Sequence, residues 1–299
     1  MKYLIVIGGA TATGKTAFAI RLAQHFNTAI LSADSRQFYR EMSIGTAKPS
    51  PEELAAAPHY FIDTLSIRED YSVGDYERDA LAVLQDIYRK KDLAIVVGGS
   101  GLYLRALCEG LDAFPDISEA TKEQVARQTR LGGLAWMQQT LQALDPIYFS
   151  EVDTQNPVRL RRALEVCLET GKPFSAFRKN TKTPRDFQPI HLLLDLPRTN
   201  LYTRIDARVD QMILNGLEEE ARLLLPFREK PALKTVGYEE FFDYFDGKLP
   251  LEATISKIKQ HSRNYAKRQA TWFRKHGDWA VFHPEQFQEV LGFLLGKMK

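Results

Sequence analysis

Eight consecutive residues near the N-terminus have the types and spacing of a loop that binds phosphate. They follow the apolar run Tyr3–Ile7 and are Gly9, Ala10, Thr11, Ala12, Thr13, Gly14, Lys15 and Thr16. Glycines allow a tight turn between a strand and a helix, and the amide groups that open the helix point at an anion. The Lys15 ammonium would bridge phosphate oxygens, and the Thr16 hydroxyl would hold a magnesium ion. The motif predicts a phosphate or diphosphate site, but it identifies neither the molecule bound nor the group transferred.

Further polar side chains follow other predicted strands. Asp34 comes after the second strand, Ser100 lies in a glycine turn after a later strand, and Arg204 and Arg208 share a helix face after the last. In a doubly wound sheet, ligands bind beyond the carboxyl ends of the strands, so we expect these groups at one cleft. Each also has a structural interpretation, as a helix cap, a turn former or a surface cation paired with a neighbouring aspartate.

The apolar run Leu93–Val97 ends in Gly98, Gly99 and Ser100 rather than in an acid. Enzymes that hydrolyse nucleotides at such a loop usually place an acid there to position magnesium. Nucleotide hydrolysis is therefore not the natural interpretation, and the loop could instead hold a diphosphate as a leaving group.

Alternation of short apolar runs with helical patterns predicts the fold class. We expect an α/β protein with a P-loop parallel sheet core flanked by helices and an inserted all-helical domain. Predicted strands are Tyr3–Ile7, Thr28–Ser32, Tyr60–Leu65, Leu93–Val97 and Ile190–Leu194, and predicted helices include Lys15–Phe26 and Ser72–Lys90.

The helical pattern dominates from about residue 118 to residue 185, which predicts a helical insertion there and a core built from 1–117 and 186–299. Asn156 and Pro157 would open a helix that ends at Gly171, and 180–189 would be the return linker. After Ile190, Asn200 would cap a further helix. The remainder reads as helices with a loop at 230–237.

Composition is ordinary for a globular protein, with 44% hydrophobic and 26% charged residues in a chain of 299. Cys108 and Cys167 lie far apart without metal-ligand spacing. The N-terminal apolar run is too short for a signal peptide, and no later run is long enough to cross a bilayer. We expect a cytoplasmic protein without a membrane partner.

The net charge is only +2, but residues 257–276 contain seven lysines and arginines and no acid. A segment that carries positive charges and no negative ones is suited to binding a polyanion. It is equally compatible with a solvated helix face whose charges are balanced by acids elsewhere in the fold.

Further motifs, in order and spacing along nearly the whole chain, resemble those of the tRNA dimethylallyltransferase family. They include 32–39, 44–49, 97–103, 156–165, 236–238 and 266–269. Two residues depart from the family pattern. Ser100 stands where threonine is frequent, and Arg36 stands where an apolar residue is common. A C-terminal zinc module is absent from the sequence, so the chain resembles the bacterial type.

The resemblance implies transfer of a dimethylallyl group from dimethylallyl diphosphate to the exocyclic N6 amine of adenosine at tRNA position 37, with Mg²⁺ as cofactor. Asp34 would be the general base, with Ser100 and Arg208 also catalytic, and Gly9–Thr16 would hold the diphosphate. The anticodon stem-loop would contact Asp34, Ser35, Arg36, Gln37, Arg159, Leu160, Arg161, Arg162, Lys234, Gly237, Tyr238, Lys267 and Arg268. We expect a monomer.

Three alternatives remain open at this point. One is a P-loop small-molecule kinase that uses Arg204 and Arg208 as lid cations on ATP. Another is prenylation of free AMP, against which the basic helix and the insertion argue. The last is an RNA-binding protein without catalysis, against which the joint presence of Lys15, Thr16 and Asp34 argues.

Overall fold

The computed structural model describes residues 1–179 and 181–298. Six described strands form one sheet in the order β3-β2-β4-β1-β5-β6, and every neighbouring pair is parallel. The strands are β1 (Tyr3–Gly8), β2 (Ile30–Ser32), β3 (His59–Tyr60), β4 (Leu93–Val97), β5 (Gln188–Leu194) and β6 (Ala280–Phe282). The predicted α/β class with a parallel sheet is confirmed.

Helices of the same unit cover both faces of this sheet. Along the whole chain the α-helices are α1 (Lys15–Phe26), α2 (Pro51–Ala56), α3 (Val73–Tyr88), α4 (Gly101–Glu109), α5 (Glu119–Leu144), α6 (Pro146–Glu151), α7 (Pro157–Thr170), α8 (Arg198–Leu214), α9 (Leu217–Leu224), α10 (Tyr238–Phe245), α11 (Leu251–Lys275) and α12 (Phe287–Lys297). Leu4 and Val6 pack into the cluster on one face, while Ile5 and Ile7 pack into the cluster on the other. Because successive side chains of a strand alternate, β1 is apolar throughout and lies at the centre of the core.

The described residues divide into two compact units, Met1–Glu109 with Pro184–Lys299, and Gly110–Thr183. The second unit is helical and begins earlier than the predicted residue 118. Its α7 starts as predicted, since the Asn156 side chain accepts the Arg159 N–H at 3.2 Å, and it ends at Gly171 with φ of 65°. Cys108 and Cys167 are buried, free thiols in different units. The predicted return linker 180–189 begins at Asn180, which lies outside the described residues.

Two predicted features differ from the structure, and one strand was not predicted. The strand expected over Tyr60–Leu65 stops at Tyr60, because Phe61 and Asp63 have φ of 64° and 55° and turn the backbone. Helix α8 begins at Arg198, where Leu201 N–H donates to the Pro197 carbonyl, so Asn200 lies inside the first turn and is not its cap. Strand β6 was not predicted, since three residues are too few to display an alternating pattern.

No helix in the described part of the chain combines the length and the apolar character that crossing a membrane requires.

Candidate active site

The loop between β1 and α1 is shaped by its own contacts. Gly9 has φ of +148°, and a Cβ there would lie 2.5 Å from the Leu194 carbonyl oxygen, so only glycine fits. The buried Thr13 hydroxyl donates to the Ala10 carbonyl oxygen at 2.8 Å. Gly14, with φ of +90°, turns the chain into α1. Gly9, Ala10 and Thr13 thus hold the loop, whereas Thr11, Ala12, Gly14, Lys15 and Thr16 line a cavity.

Two cations face this loop from different parts of the chain. Lys15 Nζ donates to the Ala10 carbonyl oxygen at 2.6 Å, and burial, assisted by Arg208 and opposed by Asp34, lowers the Lys15 pKa to about 7. The Arg208 guanidinium on α8 donates to the Thr11 hydroxyl at 3.3 Å, and burial followed by Arg204 lowers its pKa as well. Holding two cations together in a partly buried place is unfavourable without an anion, so the arrangement favours a polyanionic ligand.

The first cavity has a volume of about 220 Å³ and lies at the carboxyl ends of β1, β2 and β4. Apart from the loop residues and Arg208, its wall includes Ser32, Asp34, Gln37, Thr46, Ala47, Glu53, His59, Gly98, Gly99, Tyr265 and Gln269. The wall therefore combines the amides and cations of the loop and Arg208 with the carboxylates of Asp34 and Glu53, in a cleft beyond the carboxyl ends of the strands.

A second cavity of about 100 Å³ adjoins the first. The two share Thr11, Asp34, Thr46, Ala47, Arg208 and Tyr265. The remaining wall of the second cavity is mostly apolar and includes Ile205, Val209, Met212, Val236 and Ile258 together with Arg36 and Ser262. A polar space and an apolar space thus meet at Asp34 and Arg208.

Asp34 is held in place directly after β2. Its Oδ1 accepts the Arg36 N–H at 3.0 Å, which orients the carboxylate toward the junction of the cavities. Gln37 lines the first cavity, but its side chain is engaged in the fold. Gln37 Nε2 donates to the Thr46 and Ala47 carbonyls at 3.2 Å each. Gln37 therefore supports the loop that forms a wall of both cavities.

Ser100 lies behind the cavities rather than in their walls. Its hydroxyl accepts the Ser35 N–H at 3.2 Å and is hydrogen-bonded to the Tyr265 hydroxyl. Burial, followed by the charge of Asp34, raises the pKa of Tyr265 to about 12. The predicted catalytic role of Ser100 stays a prediction, and in this structure Tyr265 stands between its neighbourhood and the ligand space.

Only one of the two predicted arginines reaches the site. Arg208 lines both cavities, whereas Arg204 is exposed and borders an adjoining surface groove, which shares Gly14 and Ala17 with the first cavity. Both arginines therefore lie near the phosphate loop, but Arg208 alone of the two lines the first cavity. The surface ion pairs considered for them are also absent, since Asp206 binds Arg263 and Asp210 binds Lys259 at 2.5 and 2.6 Å.

The residues predicted to contact tRNA in the first unit have different environments. Arg36 and Gly237 line the second cavity, and Lys267 and Arg268 are exposed on α11. Lys234 is exposed beside Glu229. Tyr238 is fully buried, with its hydroxyl 2.7 Å from Glu220, so its side chain offers no surface to a ligand.

In the second unit, three predicted residues lie on the exposed face of α7: Arg159, Arg161 and Arg162. Arg162 lies over the Phe114 ring at 5.8 Å. Leu160, between them, is fully buried in the core of this unit. Helix periodicity explains the contrast, because Leu160 points inward where its neighbours point outward.

Sequence reasoning assigned no role to Gln269, which the structure places between two loops of the site. This buried side chain on α11 accepts the Thr11 N–H at 2.8 Å and donates to the Gly99 carbonyl oxygen at 3.0 Å. Its partners are distant in sequence, so no local pattern indicates the contact. The sequence signal that could have pointed to Gln269 is its position in the family-like motif 266–269, one helical turn after the buried Ala266.

Metal-binding capacity rests on few groups. Within 1–179 and 181–298, no cluster of three or more His, Cys, Asp or Glu side chains is arranged to hold a metal ion. His59 Nδ1 lies 2.8 Å from the Ala57 carbonyl oxygen and so carries the proton. Its Nε2 is a buried acceptor with no hydrogen-bond partner among the described residues, and His59 lines the first cavity.

Comparison with known proteins agrees with this geometry. Residues 37–276 match the sequence model of a family described as IPP transferase. A tRNA dimethylallyltransferase of Christiangramia forsetii is 52% identical over 298 residues, which cover 99% of this chain and 98% of that protein. The crystal structure of the full-length tRNA isopentenylpyrophosphate transferase from Bacillus halodurans has a TM-score of 0.73 at 33% identity, covering 99% of this chain and 97% of that one.

A eukaryotic dimethylallyltransferase, solved in crystallographic snapshots while acting on tRNA, is also similar. Its TM-score is 0.81 at 27% identity, and the match covers 95% of this chain and 74% of that one. The family match spans most of the chain, and the curated relative is similar along its full length. The resemblance inferred from the motifs is confirmed: the chain belongs to the IPP transferase family.

Proposed function

We propose that this protein transfers the dimethylallyl group of dimethylallyl diphosphate to the N6 amine of adenosine at tRNA position 37, giving N6-isopentenyladenosine and diphosphate. The names of its relatives support this reaction. The observation that carries it is the position of Asp34, whose carboxylate lies where a phosphate-binding cavity meets an apolar one.

The first cavity would bind the donor through its diphosphate. Lys15, Arg208 and the amides at the start of α1 all face this space. As the carbon–oxygen bond breaks, negative charge grows on the departing diphosphate, and these groups stabilise it. The lowered pKa of Lys15 rises again beside the anion, so the ammonium is fully formed where it is needed.

The second cavity would receive the adenine of a nucleotide that has left its stack. Its apolar wall suits the base, and Asp34 borders it. The N6 nitrogen attacks C1 of the dimethylallyl group, the new carbon–nitrogen bond forms, and Asp34 accepts the proton that N6 loses. An aryl amine is a weak nucleophile, so a carboxylate that is already oriented by the Arg36 N–H assists the attack.

Magnesium is the proposed cofactor, and the residues of the first cavity fit it. This ion prefers oxygen ligands and keeps several waters. Thr16 Oγ1 would hold it with its waters, and the Nε2 of His59, which has no hydrogen-bond partner among the described residues, is an acceptor for such a water. Bound magnesium would offset diphosphate charge.

The anticodon stem-loop is the proposed tRNA element, bound by a monomer in the cytoplasm. Arg36 at the second cavity and the exposed Lys267 and Arg268 on α11 would contact it, and the exposed arginines of α7 would add contacts from the helical insertion, 118–185. Contacts with phosphates give affinity that falls with salt and offset the cost of unstacking, which is a few kcal/mol.

The alternatives have less support. The kinase interpretation needed two lid cations, and Arg204 does not reach the cavity. The similar curated and solved proteins carry the names of tRNA-modifying transferases rather than of kinases or of RNA-binding proteins without catalysis. Prenylation of free AMP would not require the exposed basic residues of α11.

The test uses an unmodified anticodon stem-loop, dimethylallyl diphosphate and Mg²⁺, with digestion to nucleosides after the reaction. We expect N6-isopentenyladenosine from the stem-loop and none from a stem-loop with guanosine at position 37. AMP is the control for free-nucleotide prenylation, and ATP for phosphate transfer. Absence of the product with a properly folded protein would refute the proposal.

A further inference from the structure

One carboxylate outside both cavities binds three successive backbone amides. Glu220 on α9 accepts the N–H groups of Ser43 and Ile44 at 2.9 and 2.8 Å through Oε2, and that of Gly45 at 2.9 Å through Oε1. The Tyr238 hydroxyl donates to the same Oε1 at 2.7 Å. Charge-assisted bonds of this kind are stronger than neutral ones, and consecutive amides that converge on an anion hold one backbone conformation.

The residues that follow these amides form walls of the site. Thr46 and Ala47 line both cavities, and their carbonyls accept the Gln37 amide. Ala47 has φ of 49°, a conformation that a non-glycine residue holds only when its surroundings impose it. Glu220 therefore fixes the first half of a turn whose second half faces the ligand space.

Tyr238 extends the same contact to a second segment of the wall. It begins α10 immediately after 235–237, which line the second cavity. A Cβ on Gly45 would lie 2.6 Å from the Tyr238 ring, so the turn packs directly on this ring. Through one carboxylate, two wall segments about 190 residues apart in the chain are held against each other.

We propose that Glu220 is a positioning residue for the acceptor nucleoside, fixing two adjoining wall segments of the second cavity through the turn 43–47 and Tyr238. This inference rests on the proposed function, because it takes the second cavity as the acceptor site. Glu220 lines neither cavity and touches neither Lys15 nor Arg208. Because Gly45 and 235–237 line the second cavity alone, whereas Thr46 and Ala47 line both, its loss acts more strongly on acceptor binding than on donor binding.

The test compares Glu220→Gln and Tyr238→Phe with Glu41→Gln. Glu41 is a matched control, since its carboxylate also fixes a turn, accepting the Ser66 hydroxyl at 2.6 Å and the Ile67 N–H at 3.0 Å, and it borders neither cavity. An amide in place of the carboxylate turns an NH₂ group toward backbone N–H groups and leaves them unpaired. We expect KM for the stem-loop to rise ~10-fold or more in Glu220→Gln. A change of this size corresponds to the loss of one to two such hydrogen bonds.

Measurements on the donor side distinguish a positioning role of Glu220 from a general loss of structure at the site. We expect the Kd for inorganic pyrophosphate with Mg²⁺, and kcat at saturating stem-loop, to stay within ~2-fold of the unmodified chain for Glu220→Gln, about the size of an indirect effect. Tyr238→Phe keeps the carboxylate and loses one of its four bonds, so its KM rises less. Glu41→Gln changes none of the three values.

Either of two outcomes would overturn the inference: an unchanged KM in Glu220→Gln, or a parallel loss of pyrophosphate affinity and kcat. If Glu220→Gln does not fold, an unchanged KM in Tyr238→Phe overturns it. Failure of the proposed function is recognised separately, because the unmodified chain would then bind pyrophosphate but form no isopentenyladenosine.

Discussion

The two cavities are built in different ways. The first takes its amides, Lys15 and Thr16 from one continuous run whose conformation comes from its own glycines and the Thr13 hydroxyl. The second is assembled from six separate segments, including 45–47 and 235–237, and depends on contacts such as that of Glu220. A site made of consecutive residues can be recognised from a motif, whereas a site made by packing becomes visible only in the fold.

The cavities also differ in the forces that they offer. In the first, Lys15 and Arg208 lie close together and largely buried. Their lowered pKa values reflect the unfavourable free energy of placing two positive charges there. In the second, apolar side chains form much of the wall. Donor binding should therefore respond to charge and pH, and acceptor binding to the order of the surrounding loops.

The largest effect is expected where the cavities meet. Asp34→Asn keeps the acceptor for the Arg36 N–H but removes the general base, so turnover should fall ~10²–10⁴-fold with pyrophosphate affinity largely retained. Single-turnover rates measure this. Asp195→Asn is the matched control, because Asp195 also follows a parallel strand, bonds a neighbouring N–H and lines neither cavity. Full activity of Asp34→Asn would remove Asp34 from its role.

The next effect separates the cavities by charge. Lys15→Met removes an ammonium that faces the first cavity, and pyrophosphate affinity measured by calorimetry should fall ~10-fold to ~100-fold, the worth of a charged hydrogen bond. Lys267→Met, on the exposed face of α11, should leave pyrophosphate binding unchanged and weaken stem-loop binding at low salt. Unchanged pyrophosphate affinity in Lys15→Met, or its loss in Lys267→Met, would contradict the assignment of the first cavity to the donor.

A smaller effect is expected at the link between the loops. Gln269→Ala leaves the Thr11 N–H and the Gly99 carbonyl without their partner, which should lower the free energy of unfolding by ~1–3 kcal/mol. Urea unfolding measures the change. Gln260→Ala, at an exposed position of the same helix, should have almost no effect. Equal stability of the two variants would argue against the link.

The last effect is the pH dependence that Lys15 contributes. Its folded pKa is about 7, against an ordinary value of 10.5, so between these values the unfolded chain binds more protons than the folded one. Stability should therefore increase with pH over this window, and Lys15→Met should remove that part of the increase. Urea midpoints at pH 7 and pH 10 test this difference. Identical slopes for both proteins would contradict it.

Much of the fold and the donor side could be predicted from sequence because the signals are local. The apolar run before Gly9, the loop motif and Asp34 after β2 each depend on neighbouring residues. Gln269 and Glu220 could not be found in this way, since their partners lie far along the chain. Helix periodicity placed Arg204 beside Arg208, but it could not tell which of the two reaches the cavity.

The central claim is that donor and acceptor meet at Asp34, and one structure tests it most directly. It is a complex with a non-reactive thio analogue of dimethylallyl diphosphate, Mg²⁺ and the stem-loop. We predict diphosphate in the first cavity, adenine in the second, and N6 about 3 Å from an Asp34 oxygen, the reach of a general base. An adenine bound away from Asp34, or a diphosphate outside the loop Gly9–Thr16, would contradict the account.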